Sequence, residues 1–125
     1  MSAQYAGNLQ FPSNETRWTN LRLGRSARSH PEAYDKYYNA NAASINLSNC
    51  PYLQYINIAG LTALGSVDLQ KNVRLEELDA ERCTALTTID FPRDSILKNL
   101  YLPANLTSLK LINQPHLETL SLEGY

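Results

Sequence analysis

A chain of 125 residues with a net charge of −1, a pI near 6.1 and 43% hydrophobic residues has room for one core, and no electrostatic bias toward nucleic acid or an anionic membrane. No stretch is apolar enough to span a bilayer, so no membrane insertion is predicted, and Met1-Ser-Ala-Gln-Tyr5 lacks the basic and apolar regions of a secretion signal. The expected setting is therefore cytoplasmic or virion-associated, unless the chain is processed or fused.

Residues 1–17, with Gly7, Pro12 and scattered polar groups, read as an extended N-terminal arm that is ordered only if something holds it. Residues 18–41 are expected to form an N-terminal cap. Trp18-Thr-Asn-Leu21-Arg-Leu23 carries the apolar spacing of a first strand. After it, His30-Pro-Glu-Ala-Tyr-Asp-Lys-Tyr-Tyr38 has Pro in the first turn and acids early, which predicts one short helix standing in for a missing half-unit. Tyr34, Tyr37 and Tyr38 fall at helical spacing, so one edge of that helix can pack on the body while the hydroxyls stay wet. The intervening Arg22, Arg25 and Arg28 read as an exposed loop rather than a phosphate site.

From residue 42 onward an apolar triplet recurs with the spacing Leu-x-x-Leu-x-Leu. It begins at Ala42, Leu53, Leu64, Leu75, Leu86, Leu97, Leu106 and Leu117, so every step is eleven residues except the nine between Leu97 and Leu106, where one loop is shortened. A helical face repeats at 3.6 residues and would not reset every eleven. In each unit the last two apolar residues flank a polar one, as in Ile56-Asn57-Ile58, Val67-Asp68-Leu69 and Ile89-Asp90-Phe91. That is the period of a strand with one buried face. Runs such as Pro92-Arg93-Asp94-Ser95 and Pro103-Ala104-Asn105 read as turns. A six-residue strand cannot offset the ordering cost of its own loop, so units must stack and share one core.

The segments Leu75-Glu-Glu-Leu-Asp-Ala-Glu-Arg-Cys83 and Leu64-Gly-Ser-Val-Asp-Leu-Gln-Lys-Asn72 resemble the LxxLxLxxN/C signature of leucine-rich-repeat proteins. With the alternating segment Cys83-Thr-Ala-Leu-Thr-Thr-Ile-Asp-Phe91, the pattern is similar to the bacterial internalin-like surface repeats, over residues 42–125. The Asn/Cys slot holds Leu61, Asp94, Gln114 and Tyr125 instead, so an unbroken ladder of Asn and Cys is not expected. The resemblance implies a β-rich leucine-rich-repeat solenoid in which two half-units make a coil of about twenty-two residues. Alternate strands then stack on opposite sides. One side carries small hydroxyl-rich positions (Ser44, Ser66, Thr88), and the other larger groups: Tyr55, Asn57, Glu76, Glu77, Asp79, Lys98, Asn99, Tyr101 and Glu118. Aromatic and hydrogen-bonding groups anchor interfaces, so this second face is the candidate binding face for a protein or a glycan. Cys50 and Cys83 are three half-units apart, which places them on opposite sides as buried thiols rather than a disulfide.

No chemistry of catalysis is legible. There is no Cys-x-x-Cys or His pair at ligand spacing, no Gly-x-Ser-x-Gly setting, and no phosphate-binding loop. Glu76, Glu77 and Asp79 are expected to alternate between faces and so not converge as an acid and base. The expectation is a non-enzymatic protein without metal or cofactor, acting through protein–protein or glycan recognition. The alternative is a structural subunit of a virion or appendage, such as a phage tail or fibre component. Because the array stops at Leu120-Ser-Leu122-Glu-Gly-Tyr125 without a polar cap, a neighbouring subunit or partner is expected to cover the C-terminal coil.

Overall fold

The computed structural model describes residues 4–5, 8–10, 19–22, 42–92, 96–107, 109–111 and 114–122. Ten short strands follow one another: β1 (Gln4–Tyr5), β2 (Asn8–Gln10), β3 (Asn20–Arg22), β4 (Ser44–Asn46), β5 (Tyr55–Asn57), β6 (Ser66–Asp68), β7 (Glu77–Asp79), β8 (Thr88–Asp90), β9 (Asn99–Leu102) and β10 (Thr119–Leu122). No helix occurs among the described residues, and the helix expected at 30–38 lies outside them. None of the described helices is long and apolar enough to cross a membrane, there being none.

From β2 to β9 consecutive strands do not pair with each other, whereas β9 and β10 do. The larger sheet has the order β10-β9-β7-β5-β3 and is parallel throughout. Its register sets Tyr55 beside Glu77 and Glu77 beside Asn99, steps of twenty-two residues. The next step, Asn99 to Thr119, is twenty, which is where the shortened loop falls. The remaining strands form β1-β2-β4 and the pair β6-β8. A line of single backbone bonds joins these: Gly65 N–H donates to Ala43 O, Thr87 N–H to Gly65 O, and Thr107 N–H to Thr87 O. Only β1 with β2 is antiparallel. Asn8 stands beside Ser44 and Gln10 beside Asn46, so part of the segment expected to be an extended arm, ordered only if something holds it, pairs with β4.

Apolar spacing builds the core directly. The triplet positions from Ala42 to Leu102 are buried, among them Leu53, Leu64, Leu75, Leu86 and Leu97, each fully enclosed. Two hydrogen-bonded turns close each unit between β4 and β8, as where Asn72 N–H donates to Leu69 O at 2.9 Å and Leu75 N–H to Asn72 O at 3.1 Å. The polar residue ending each of β4, β5, β6 and β7 starts the first turn: Oδ1 of Asn46, Asn57, Asp68 and Asp79 accepts from the N–H two residues on, at 2.9–3.2 Å. These turns are an Asx device repeated every eleven residues.

Side chains in the Asn/Cys slot then reach back to the rung before. Asn72 Nδ2 donates to Leu47 O at 3.2 Å and Cys50 O at 3.0 Å. Cys83 Sγ donates to Ile58 O, Asn105 Nδ2 to Cys83 O and Leu86 O, and Gln114 Nε2 to Pro92 O at 2.8 Å. Gln114, a departure from the Asn/Cys pattern, thus does the same work with a longer amide. Cys50 and Cys83 are both buried thiols outside any disulfide, on turns that follow strands of different sheets.

Candidate functional site

The outer face of the larger sheet is organised by a repeated irregularity at the start of each strand. The carbonyl of Gln54 accepts from both Glu76 N–H and Glu77 N–H, that of Glu76 from Lys98 and Asn99, and that of Lys98 from Glu118 and Thr119. Two consecutive residues oppose one, as in a bulge, which breaks strict alternation at that point. Glu76 and Glu77 therefore do not separate onto opposite faces. Both are half-buried and both meet the next strand: Glu76 Oε1 lies 3.7 Å from Lys98 Nζ, and Glu77 Oε1 accepts from Asn99 Nδ2 at 3.4 Å.

These contacts give three rows running across the strands. One is Gln54, Glu76, Lys98 and Glu118; the next is Tyr55, Glu77, Asn99 and Thr119; the third is Asn57, Asp79, Tyr101 and Ser121. Tyr55 and Tyr101 are each half-buried, so rings contribute area without being free to reorient. Lys98 and Glu118 are exposed. The ion pair between Lys98 and Glu76, with side chains 48% and 21% exposed, is solvent-screened and contributes little stability. Its effect is to hold two flexible side chains along the face.

Two of the expected face residues are not on it. Asn57 is 7% exposed and Asp79 is 2% exposed. Their carboxamide and carboxylate oxygens are turned into the Asx turns that end β5 and β7, so they shape the backbone rather than offer contacts. At the matching positions of the other sheet, Asn46 and Asp68 form the same turns while exposed. Strand alternation alone does not separate these cases; the eleven-residue row of Asn and Asp does signal a turn function.

A second surface escapes the strand pattern because it lies on turns. Tyr52, Val73 and Ile96 are exposed at 44%, 55% and 39%, Tyr52 on the turn after β4, Val73 on the turn after β6 and Ile96 just before Leu97. Arg74 stands over the Tyr52 ring with its guanidinium carbon 5.0 Å from the ring centroid, a cation–π contact between successive rungs. Among the described residues no three His, Cys, Asp or Glu side chains form a group that could hold a metal ion. Comparison with known families, curated proteins and solved structures gives no match for this chain.

Proposed function

We propose that the protein is a leucine-rich-repeat solenoid of the internalin-like kind, acting without catalysis as a recognition module for a protein or glycan. The parallel sheets, the twenty-two-residue register and the carbonyl-directed ladder of Asn72, Cys83, Asn105 and Gln114 support the repeat reading. The observation that carries the functional reading is the outer face of the larger sheet. Tyr55, Glu77, Asn99 and Tyr101 are held there on rigid neighbouring strands, with Glu76, Lys98 and Glu118 along one margin. Rigid aromatic groups beside exposed hydrogen-bonding groups suit a partner that contributes both apolar and polar contacts. Asn57 and Asp79, in the register row of Tyr101, fix the turns that end β5 and β7.

The test is capture from a native-source lysate and binding to a glycan array, each done with the wild-type chain and a Tyr55→Ala/Tyr101→Ala variant. Ligands retained by the wild type and lost by the variant support this face; equal retention by both rejects it.

A second reading, a structural subunit of a virion or appendage, is favoured by the exposed Leu120 and Leu122 on β10. Under it, deletion of residues 1–17, which removes β2 from β4, should disrupt the particle. Intact assembly without them would count against it.

A further inference from the structure

Tyr52, Arg74, Ile96 and His116 each stand three residues before a member of one register row, Tyr55, Glu77, Asn99 and Thr119, so they form a row of their own where the chain enters the larger sheet. The 5.0 Å contact between the Tyr52 ring and the Arg74 guanidinium carbon is a contact between neighbours in that row. An aromatic ring is not an ordinary hydrogen-bond acceptor, so this contact positions the guanidinium without satisfying its five N–H donors. Among the described residues that guanidinium makes no hydrogen bond or ion pair, and neither does the ammonium of Lys71 on the same turn; both side chains are exposed. The nearest acids along the chain are engaged elsewhere: Asp68 Oδ1 accepts from Gln70 N–H, and Glu76 Oε1 lies 3.7 Å from Lys98 Nζ. Apolar surface adjoins the two cations. Apart from Leu120 and Leu122, the exposed large apolar side chains among the described residues are Tyr52, Val73 and Ile96.

We propose that this row of turns is a docking surface for an acidic segment of a partner protein, in which an Asp or Glu carboxylate meets the Arg74 guanidinium and flanking apolar side chains cover Tyr52, Val73 and Ile96. The charge decides the sign of the partner. Two cations without a counter-ion among the described residues lie on one turn, and a carboxylate matches guanidinium geometry with two parallel bonds. The apolar groups decide its kind. A nucleic acid or an anionic bilayer is held by many cations at once, whereas this turn offers two, on a chain of net charge −1. Tyrosine and arginine in contact, with aliphatic groups beside them, have the composition of a protein-contact centre. None of these residues belongs to the outer face of the larger sheet, so the test is independent of that face.

The test is selection of displayed random dodecapeptides on the whole chain, with depletion on the Arg74→Gln variant, followed by fluorescence-anisotropy titration of the peptides retained. Those peptides should carry an Asp or Glu between apolar residues. They should bind Arg74→Gln and Tyr52→Ala about ten-fold more weakly than the wild type. Lys110→Gln, which removes an exposed cation outside this row, should bind them as the wild type does. All three substituted side chains are exposed, so the variants should keep the far-ultraviolet dichroism spectrum of the wild type. Changing the acid of a retained peptide to its amide should weaken binding to the wild type by a similar factor and leave binding to Arg74→Gln unchanged, a coupling that a merely structural Arg74 would not give. No retained peptide, retained peptides without an acid, or an amide effect equal in the wild type and in Arg74→Gln would each overturn the proposal. Vesicles of phosphatidylserine and phosphatidylcholine bound by the wild type and not by Arg74→Gln would overturn it in favour of a lipid surface.

Discussion

The thiol of Cys83 donates to the carbonyl oxygen of Ile58, 2.9 Å away and twenty-five residues earlier in the chain, with both residues fully buried. A cysteine here acts as a small polar link between two turns. Cys83→Ala removes the donor, leaves the Ile58 carbonyl with the Leu61 N–H alone at 3.3 Å and opens a small void. The expected cost is about 1–2 kcal/mol, read from the urea midpoint at unchanged slope.

Asn72 makes the same kind of link with two bonds, to Leu47 O and Cys50 O, from a fully buried position. Asn105 bonds to Cys83 O and Leu86 O, but from an exposed position. Water can replace the lost donor at 105 and not at 72. Asn72→Ala should therefore cost about 2–3 kcal/mol and Asn105→Ala about 1 kcal/mol or less, compared by thermal and urea unfolding. Equal costs would mean that burial does not govern this ladder.

Asn57 and Asn46 cap equivalent turns with equivalent bonds of 3.0 Å to Ala59 N–H and Ser48 N–H. They differ in that Asn57 is buried and Asn46 is exposed. Asn57→Ala should cost about 1–2 kcal/mol, and Asn46→Ala under about 0.5 kcal/mol. Asn46→Ala, on the other sheet, should leave binding at the outer face of the larger sheet unchanged, which a titration with any captured ligand can check.

Gly60 has φ of +82°, and a Cβ there would meet only Arg82 Nη2 at 3.8 Å, an ordinary contact. The cost of Gly60→Ala is therefore backbone strain alone, about 1 kcal/mol. Gly65 has no such torsion and open space around it. Gly65→Ala should raise stability by about 0.5 kcal/mol through the unfolded chain. The two substitutions should move the melting temperature in opposite directions.

Much of this arrangement is legible in the apolar spacing. The triplets from Ala42 to Leu102 set the buried side of every strand, and the nine-residue step at Leu97 to Leu106 shows up as the twenty-residue offset between Asn99 and Thr119. Strand alternation misplaces Asn57 and Asp79, because a short polar side chain at a strand end competes for the backbone of its own turn. It also misses that Glu76 and Glu77 share a face, since two consecutive N–H groups sharing one carbonyl is a matter of pairing rather than of period. The strand β2 has a signal of its own: Ala6-x-x-Leu9-x-Phe11 matches Ala42-x-x-Ile45-x-Leu47, and Leu9 does stand beside Ile45. Twenty-four residues separate Leu21 from Ile45, which takes Leu9 off the eleven-residue count. The Tyr52 and Arg74 pair depends on turns stacking, which no single unit reveals.

The twenty-two-residue offset shared by β5, β7 and β9 and by β6 and β8 makes length a separable property of this protein. Ser66 and Thr88 occupy the same place on adjacent rungs, as do Tyr55, Glu77 and Asn99. Removing the twenty-two residues from 66 to 87 would join Gly65 to Thr88 and bring together two surfaces that already match; Asn72 and Cys83 leave with that rung, while Asn105 and Gln114 stay. The molecule can in this way gain or lose a rung as a rope gains or loses a turn, and a site spread over several strands is widened or narrowed in whole steps while each remaining strand keeps its neighbours.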